Sequence, residues 1–302
     1  MKEQLAVGSG EWAVKALAGN FGSQMSEVSA AESQSLPTAN CPLPTVLIIG
    51  HRGAAAVAPE NTLRSFERAL SDGADGIEFD VRLARDGVPV VIHDATLRRT
   101  ALRSGRVASF SSTELSEMDA GTWFNRRYPA KAHPLYAEAR IPTLAAVFAA
   151  LRQSDALLYV EMKCGARDRS TLAAEVVKLI RAHRIAARVR VESFDLAAIA
   201  EIKRLDDGLR TAALFDRRLT RPAPSARKMI EQAIRCGAEE IALHHTLATR
   251  RTVEEAARRG LETVIWTAYN PAWVARAIKL GIRAIITNDP ARLIEKGRLP
   301  GG

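Results

Sequence analysis

Residues 262–288 read ETVIWTAYNPAWVARAIKLGIRAIITN, and the order of elements they encode decides the fold. ETVIWT (262–267) is short, apolar and β-branched, the composition of a buried strand. Asn270-Pro271 then supplies a cap and a first-turn proline, which opens a helix, and Gly281 closes it. RAIITN (283–288) follows as a second strand. A helix between two apolar strands lays them parallel and covers them from outside.

Outward from this unit the same rhythm recurs. Asp289-Pro290 and Gly297 bracket a C-terminal helix, and Pro59 to Gly73 brackets another with Leu63, Phe66 and Leu70 on one face. The remaining predicted strands are VLIIGH (46–51), GIEFDV (76–81), VPVVIH (88–93), LLYVEMK (157–163), RVRVESF (188–194), RTAALF (210–215) and EEIALH (239–244). About eight βα units over roughly 255 residues match a (β/α)₈ barrel of the TIM type. A doubly wound sheet is the competitor, but no GxGxxG turn follows any strand. Two details resist the pattern. Nine strands compete for eight places, and the 82–87 link is too short for a helix. The turn-rich stretch 94–140 breaks the rhythm and reads as an insertion after the third strand, over one end of the barrel.

Composition sets the outer bounds. The chain has 302 residues, 47% hydrophobic, which is ample for a core, and no run long enough to cross a membrane. Residues 1–44 carry little periodicity and read as a disordered extension, with a short amphipathic helix at Trp12–Leu17 as the alternative; 45–302 form one barrel domain. No continuous apolar h-region marks a secretory signal. Cys41, Cys164 and Cys236 are too few and too scattered for a disulfide framework or zinc site, which points to the cytoplasm. The net charge of +9 is spread over dispersed arginine clusters without interleaved aromatics. It reads as a solvated arginine-rich surface, with steering of anionic substrates or contact with nucleic acid or anionic membranes as the alternatives; no nucleic-acid partner is expected.

In a barrel, chemistry gathers at the C-terminal strand ends. Here those ends carry His51-Arg52, Glu78 and Asp80, His93-Asp94, Glu161 and Lys163, and Trp266. Side chains two apart share a strand face, so Glu78 and Asp80 point inward while Ile77, Phe79 and Val81 point out. Glu161 and Lys163 repeat the arrangement, with Val160 and Met162 turned outward. Three convergent carboxylates repel unless a hard cation joins them, and oxygen ligands favour Mg²⁺ or Ca²⁺. Two histidines suit acid–base work, and Arg52 and Lys163 suit a phosphate. Metal, cations and histidines together describe hydrolysis of a phosphate diester. His244-His245 lacks a carboxylate at useful spacing and reads as structural.

At these residues the sequence resembles the glycerophosphodiester phosphodiesterase family over about residues 46–292. The motifs in order are His51-Arg52-Gly53, Glu60-Asn61-Thr62, Glu78-Phe79-Asp80-Val81, Asp86 to Asp94 and Ile141 to Leu144. Glu161-Met162-Lys163, Ser193-Phe194, Trp266-Thr267 and Ile286 to Pro290 complete the series. The resemblance implies a metal site at Glu78, Asp80 and Glu161, and acid–base catalysis by His51 and His93. It further implies phosphate binding by Arg52 and Lys163, and packing of Trp266 on the glycerol or leaving group. Glu60 and Asn61 join the substrate-binding set, Glu60 with the alternative of orienting Arg52. The chain departs from the family at Ala145 and in the spacing before Asn270.

The expected reaction is hydrolysis of a small-molecule glycerophosphodiester to an alcohol and sn-glycerol 3-phosphate. The alternative is a lysophospholipase D-like reaction on lipids, with a cyclic phosphate formed by the substrate's own hydroxyl; Trp123, Phe124, Tyr128 and Tyr136 offer an apolar ramp for it. A barrel that binds phosphodiesters without turnover requires loss of a metal or histidine position, and none is lost.

Overall fold

The computed structural model describes residues 45–217 and 225–297. The expectations for residues 1–44 lie outside the described residues. Nine strands form: β1 (Leu47–His51), β2 (Gly76–Leu83), β3 (Pro89–Val91), β4 (Leu157–Met162), β5 (Val189–Ser193), β6 (Arg210–Phe215), β7 (Glu240–His244), β8 (Glu262–Trp266) and β9 (Ala284–Thr287). Eight of them close a parallel barrel in the order β1-β2-β4-β5-β6-β7-β8-β9, with β9 pairing back to β1. The fold is the TIM-type (β/α)₈ barrel.

The surplus strand is β3, which lies outside the ring and is irregularly connected, as nine strands for eight places required. It pairs antiparallel with β2, Val81 opposite Val91 and Leu83 opposite Pro89. The link turns at Asp86-Gly87, where Gly87 takes φ +78°, a conformation open to glycine without strain. The hairpin rises above the barrel rim and comes back down, so that the Ile92 amide reaches the Asp80 carbonyl at 2.9 Å. His93 therefore reaches the mouth on a returning strand. It does not sit at the C-terminal end of a barrel strand, as the pattern of strand ends suggested.

Alternation along the strands builds two shells. Ile77, Phe79, Val81, Val160 and Met162 face outward and pack under helices with Phe66, Leu144 and Phe148. Burying such side chains stabilises the fold by about 1.5–3 kcal/mol each. Inside the barrel, Ile49, Tyr159, Ala212, Leu214, Val264 and Ile286 form a smaller apolar layer. Beneath it Glu240, fully buried, accepts from the Tyr159 hydroxyl at 2.9 Å and pairs with Arg190 at 3.0 Å. Truncating either partner would strand a charge out of reach of water.

The helix after β1 spans Leu63–Ser71 and is capped by the Thr62 side chain, not by Pro59. Residues 59–62 are instead turn, with Asn61 at φ +58°. Phe66 is buried and Leu63 and Leu70 are partly buried against the core, the face the spacing indicated. The helix Ala272–Leu280 ends at Gly281 in the left-handed region, as read from the sequence. Residues 94–140 hold short helices, Ser112–Ser116 and Thr122–Arg127 among them, with their own small core of Leu97, Val107 and Leu115 joined to Val90, Ile92 and Ile141. No described helix is long and apolar enough to cross a membrane.

Candidate active site

β1 delivers His51 and the following turn delivers Arg52, whose backbone is left-handed at φ +53°. Gly53, at φ +85°, packs so tightly on Ser65 that a side chain there would collide with it. The Arg52 carbonyl accepts from the Asn61 amide at 3.1 Å and from the Ser65 hydroxyl at 2.9 Å. These bonds hold two left-handed non-glycine residues, Arg52 and Asn61, at the barrel mouth, where backbone strain is compatible with a functional constraint.

β2 turns Glu78 and Asp80 inward, β4 does the same with Glu161, and all three are buried. One carboxylate oxygen from each lies within 4.8 Å of the others. Glu78 Oε1 is buried without a hydrogen-bond partner. Lys163 Nζ stands 2.5 Å from Glu161 Oε1 and 3.1 Å from Asp80 Oδ1, paired with both. Three converging buried carboxylates, with Lys163 against Asp80 and Glu161 and one Glu78 oxygen left without a partner, make a donor set that could hold a hard divalent ion, and the residues fit one.

The electrostatics agree. Burial, then the neighbouring Asp80 and Glu161, push the Glu78 carboxyl well above the usual carboxylate range. Burial and Asp80 raise Glu161 to about 7. Burial also pushes on Asp80, but Arg52, Lys163 and His93 outweigh it and hold that carboxyl below its ordinary value. Asn61 adds to this by donating to Asp80 Oδ2 at 2.7 Å and accepting from the Asp80 amide at 3.2 Å. Without a cation the three carboxylates cannot all ionise against one another.

The two histidines differ in their partners. His51 Nδ1 lies 2.5 Å from the Asn288 side-chain oxygen, a neutral group, and its Nε2 is 3.8 Å from Glu78. Burial and Arg52 push its imidazole down to about 4. His93 Nδ1 lies 2.6 Å from Asp94, which Arg99 holds at 2.7 Å; Arg99 in turn grips Glu60, which binds Arg52 at 2.8 Å. Burial, with Arg52 and Lys163, holds His93 below its ordinary value against the pull of Asp80 and Asp94.

These groups surround a cavity of about 330 Å³. His51, Arg52, Glu78, His93, Glu161, Lys163 and Trp266 line it directly. Asp80 lies beneath, Asn61 anchors it, and Glu60 ties Arg52 to Arg99. The sequence-predicted residues thus meet at one place. Trp266 stands edge-on to Phe194 with ring centroids 5.4 Å apart, and Lys163 Nζ lies 5.6 Å from the Phe194 centroid.

Sequence reasoning missed several members. Glu192, buried on β5 and opposite Glu161 in the ladder, lines the cavity with one oxygen unpartnered. Burial and the nearby Glu78 and Glu161 push it well above the usual range. Its signal was present, since Arg190 and Glu192 share a face of an otherwise apolar strand. Asn288 lies within the Ile286 to Pro290 motif, but sequence reasoning gives it no role there. Its amide nitrogen donates to the Tyr269 hydroxyl at 3.3 Å, so the altered spacing before Asn270 reaches the group beside His51.

The profile of the glycerophosphoryl diester phosphodiesterase family matches residues 51–292. A glycerophosphodiester phosphodiesterase of Caldanaerobacter subterraneus subsp. tengcongensis is 34% identical over 257 residues, 84% of this chain and 99% of that protein. Among solved structures, an Oleispira antarctica phosphodiesterase in complex with the product sn-glycerol-3-phosphate superposes with TM-score 0.73 at 25% identity, covering 84% of this chain and 96% of that one. A glycerophosphodiester phosphodiesterase from Agrobacterium tumefaciens gives TM-score 0.68 at 28% identity, covering 83% and 100%. The chain belongs to the glycerophosphoryl diester phosphodiesterase family and is a hydrolase of glycerophosphodiesters.

Proposed function

We propose that the protein converts a glycerophosphodiester and water into an alcohol and sn-glycerol 3-phosphate, with a divalent cation, Mg²⁺ or Ca²⁺, held by Glu78, Asp80 and Glu161. The observation that carries this reading is the convergence of three buried carboxylates, one oxygen of each within 4.8 Å of the others, beside a cavity shared with two histidines and two cationic side chains. The product bound in the Oleispira antarctica phosphodiesterase supports sn-glycerol 3-phosphate as the product here.

A bound cation supplies Lewis-acid stabilisation of charge growing on the phosphoryl oxygens. Arg52 and Lys163 add donors to the same oxygens, and the Glu60 bond fixes the Arg52 fork. His51, beside a neutral amide oxygen and easily kept uncharged, takes a proton from the attacking water. His93, whose Nδ1 faces the Asp94 carboxylate, gives a proton to the departing alkoxide oxygen; Asp94 and Asp80 favour its charged form in part against the burial that lowers it. A bond from water oxygen to phosphorus forms as the bond to the alcohol oxygen breaks. Trp266 and Phe194 wall the glyceryl side of the cavity.

The test is a panel of glycerophosphodiesters incubated with stripped and with cation-loaded protein, following sn-glycerol 3-phosphate. Release that needs the cation is expected. Full release from demonstrably metal-free protein overturns the cation assignment, and release of glycerol instead of its phosphate overturns the bond cleaved.

A further inference from the structure

A second cavity, of about 560 Å³, opens beside the first and shares His51 and Arg52 with it. Its outer wall belongs to the 94–140 segment: Arg99, Leu102, Trp123, Arg126, Arg127 and Tyr128. The aromatic residues that suggested an apolar ramp are partly consumed elsewhere. Phe124 is buried, with Trp123, Tyr128 and Tyr136 packed around it at 5.0–5.7 Å between centroids. The Tyr136 hydroxyl is tied to the Val57 carbonyl at 3.0 Å.

What remains of the wall is dominated by positive charge. Arg52 and Arg99 are matched by Glu60, Asp80 and Asp94. Arg126 and Arg127, exposed in the last turn of the helix Thr122–Arg127, meet no carboxylate among the described residues; Arg127 lies only over the Tyr128 ring, at 5.7 Å. Two uncompensated guanidinium groups beside a phosphate site attract further negative charge, and their planar forks suit phosphate or carboxylate oxygens. An acyl chain would meet these charges, whereas an anionic alcohol would be held by them.

We propose that this lobe takes the leaving alcohol of the diester and selects alcohols that carry a second anionic group, a phosphate ester above all. The proposal rests on the phosphodiesterase reading and names the substrate class for that site. One arm of the diester, the glyceryl group, occupies the inner cavity; the phosphodiester bridges at Arg52; the other arm reaches Arg126 and Arg127.

The experiment compares kcat/KM of the cation-loaded full chain for glycerophosphoglycerol, the same diester bearing a terminal phosphate, and glycerophosphocholine. The phosphorylated diester is expected to lead the neutral one by about tenfold, choline to trail, and the preference to shrink as salt rises. In R126E/R127E the ratio of phosphorylated to neutral substrate should fall about tenfold or more, while an unchanged melting temperature shows that the exposed changes leave the fold intact. Equal use of phosphorylated and neutral diesters, or a ratio unmoved in the variant, overturns the proposal while leaving the phosphodiesterase reading standing. A lysophospholipid hydrolysed best, and equally by the variant, overturns it in favour of an apolar occupant. If no diester is hydrolysed, the underlying reading falls and takes the proposal with it.

Discussion

Stripping the cation should make stability depend on pH in a direction opposite to that of most carboxylates. Glu161 is raised from an ordinary 4.5 to about 7 by burial and Asp80. A carboxyl raised on folding contributes stability that is fully present below its unfolded pKa and is lost as pH rises through the folded value. The window is therefore about pH 4.5 to 7, and at 1.36 kcal/mol per unit the loss is on the order of 3 kcal/mol. Glu78 and Glu192 are shifted the same way and add to it. Asp80 has the opposite sign, since its lowered carboxyl loses stability only as pH falls below the ordinary range. A cation at about a hundred times its Kd returns roughly 2.7 kcal/mol at neutral pH, where the carboxylates are ionised. For a domain of this size that is roughly 5–10 °C in melting temperature. Scanning calorimetry on chelated and Mg²⁺- or Ca²⁺-loaded protein, at steps from pH 5 to 8, reads both effects. The stripped protein should weaken towards pH 8 and the loaded protein should not; E161Q should flatten much of the slope. A stripped protein as stable at pH 8 as at pH 5, with no gain on adding cation, would refute the carboxylate argument.

Three further outcomes follow from the site. H51A and H93A should each lower kcat by roughly 10²–10⁴-fold with cation affinity nearly unchanged, and a nitrophenyl leaving group should rescue H93A but not H51A; rescue of H51A alone would exchange their roles. N61A removes the clamp on Asp80 and should weaken cation binding by about 10–100-fold in a calorimetric titration, with a smaller effect on the fold. G53A forces a side chain onto Ser65 at φ +85° and should cost about 2 kcal/mol or more in denaturant unfolding. An unchanged midpoint would show that the turn relaxes freely.

The residue pattern carried the barrel because its strands are buried on both faces and its helices are punctuated by Asn-Pro, Asp-Pro and Gly. The direction of β3 was not in its apolar run, which looks the same read either way. It was in the Asp86-Gly87 turn, a hairpin signal between two short strands. Glu78, Asp80 and Glu161 were legible from two-residue periodicity, and Glu192 obeyed the same rule without a motif to draw the eye. The chain Asp94–Arg99–Glu60–Arg52 was not legible, because exposed arginines look alike until the fold decides which of them find partners.

The contact between His51 and Asn288 joins residues 237 positions apart, across the β1–β9 ladder that closes the barrel. Glu78, Asp80 and His93 come from a single hairpin, and Glu161 from the strand paired with it. Loop closure makes the long-range ladder the slow partner of the local one. The three carboxylates and His93 depend on pairings made within residues 76–163, while the Asn288 partner of His51 is delivered only where β9 pairs with β1 and the ring shuts. A substitution that loosens the β1–β9 seam should therefore show first in turnover, through His51, and only later in ion binding.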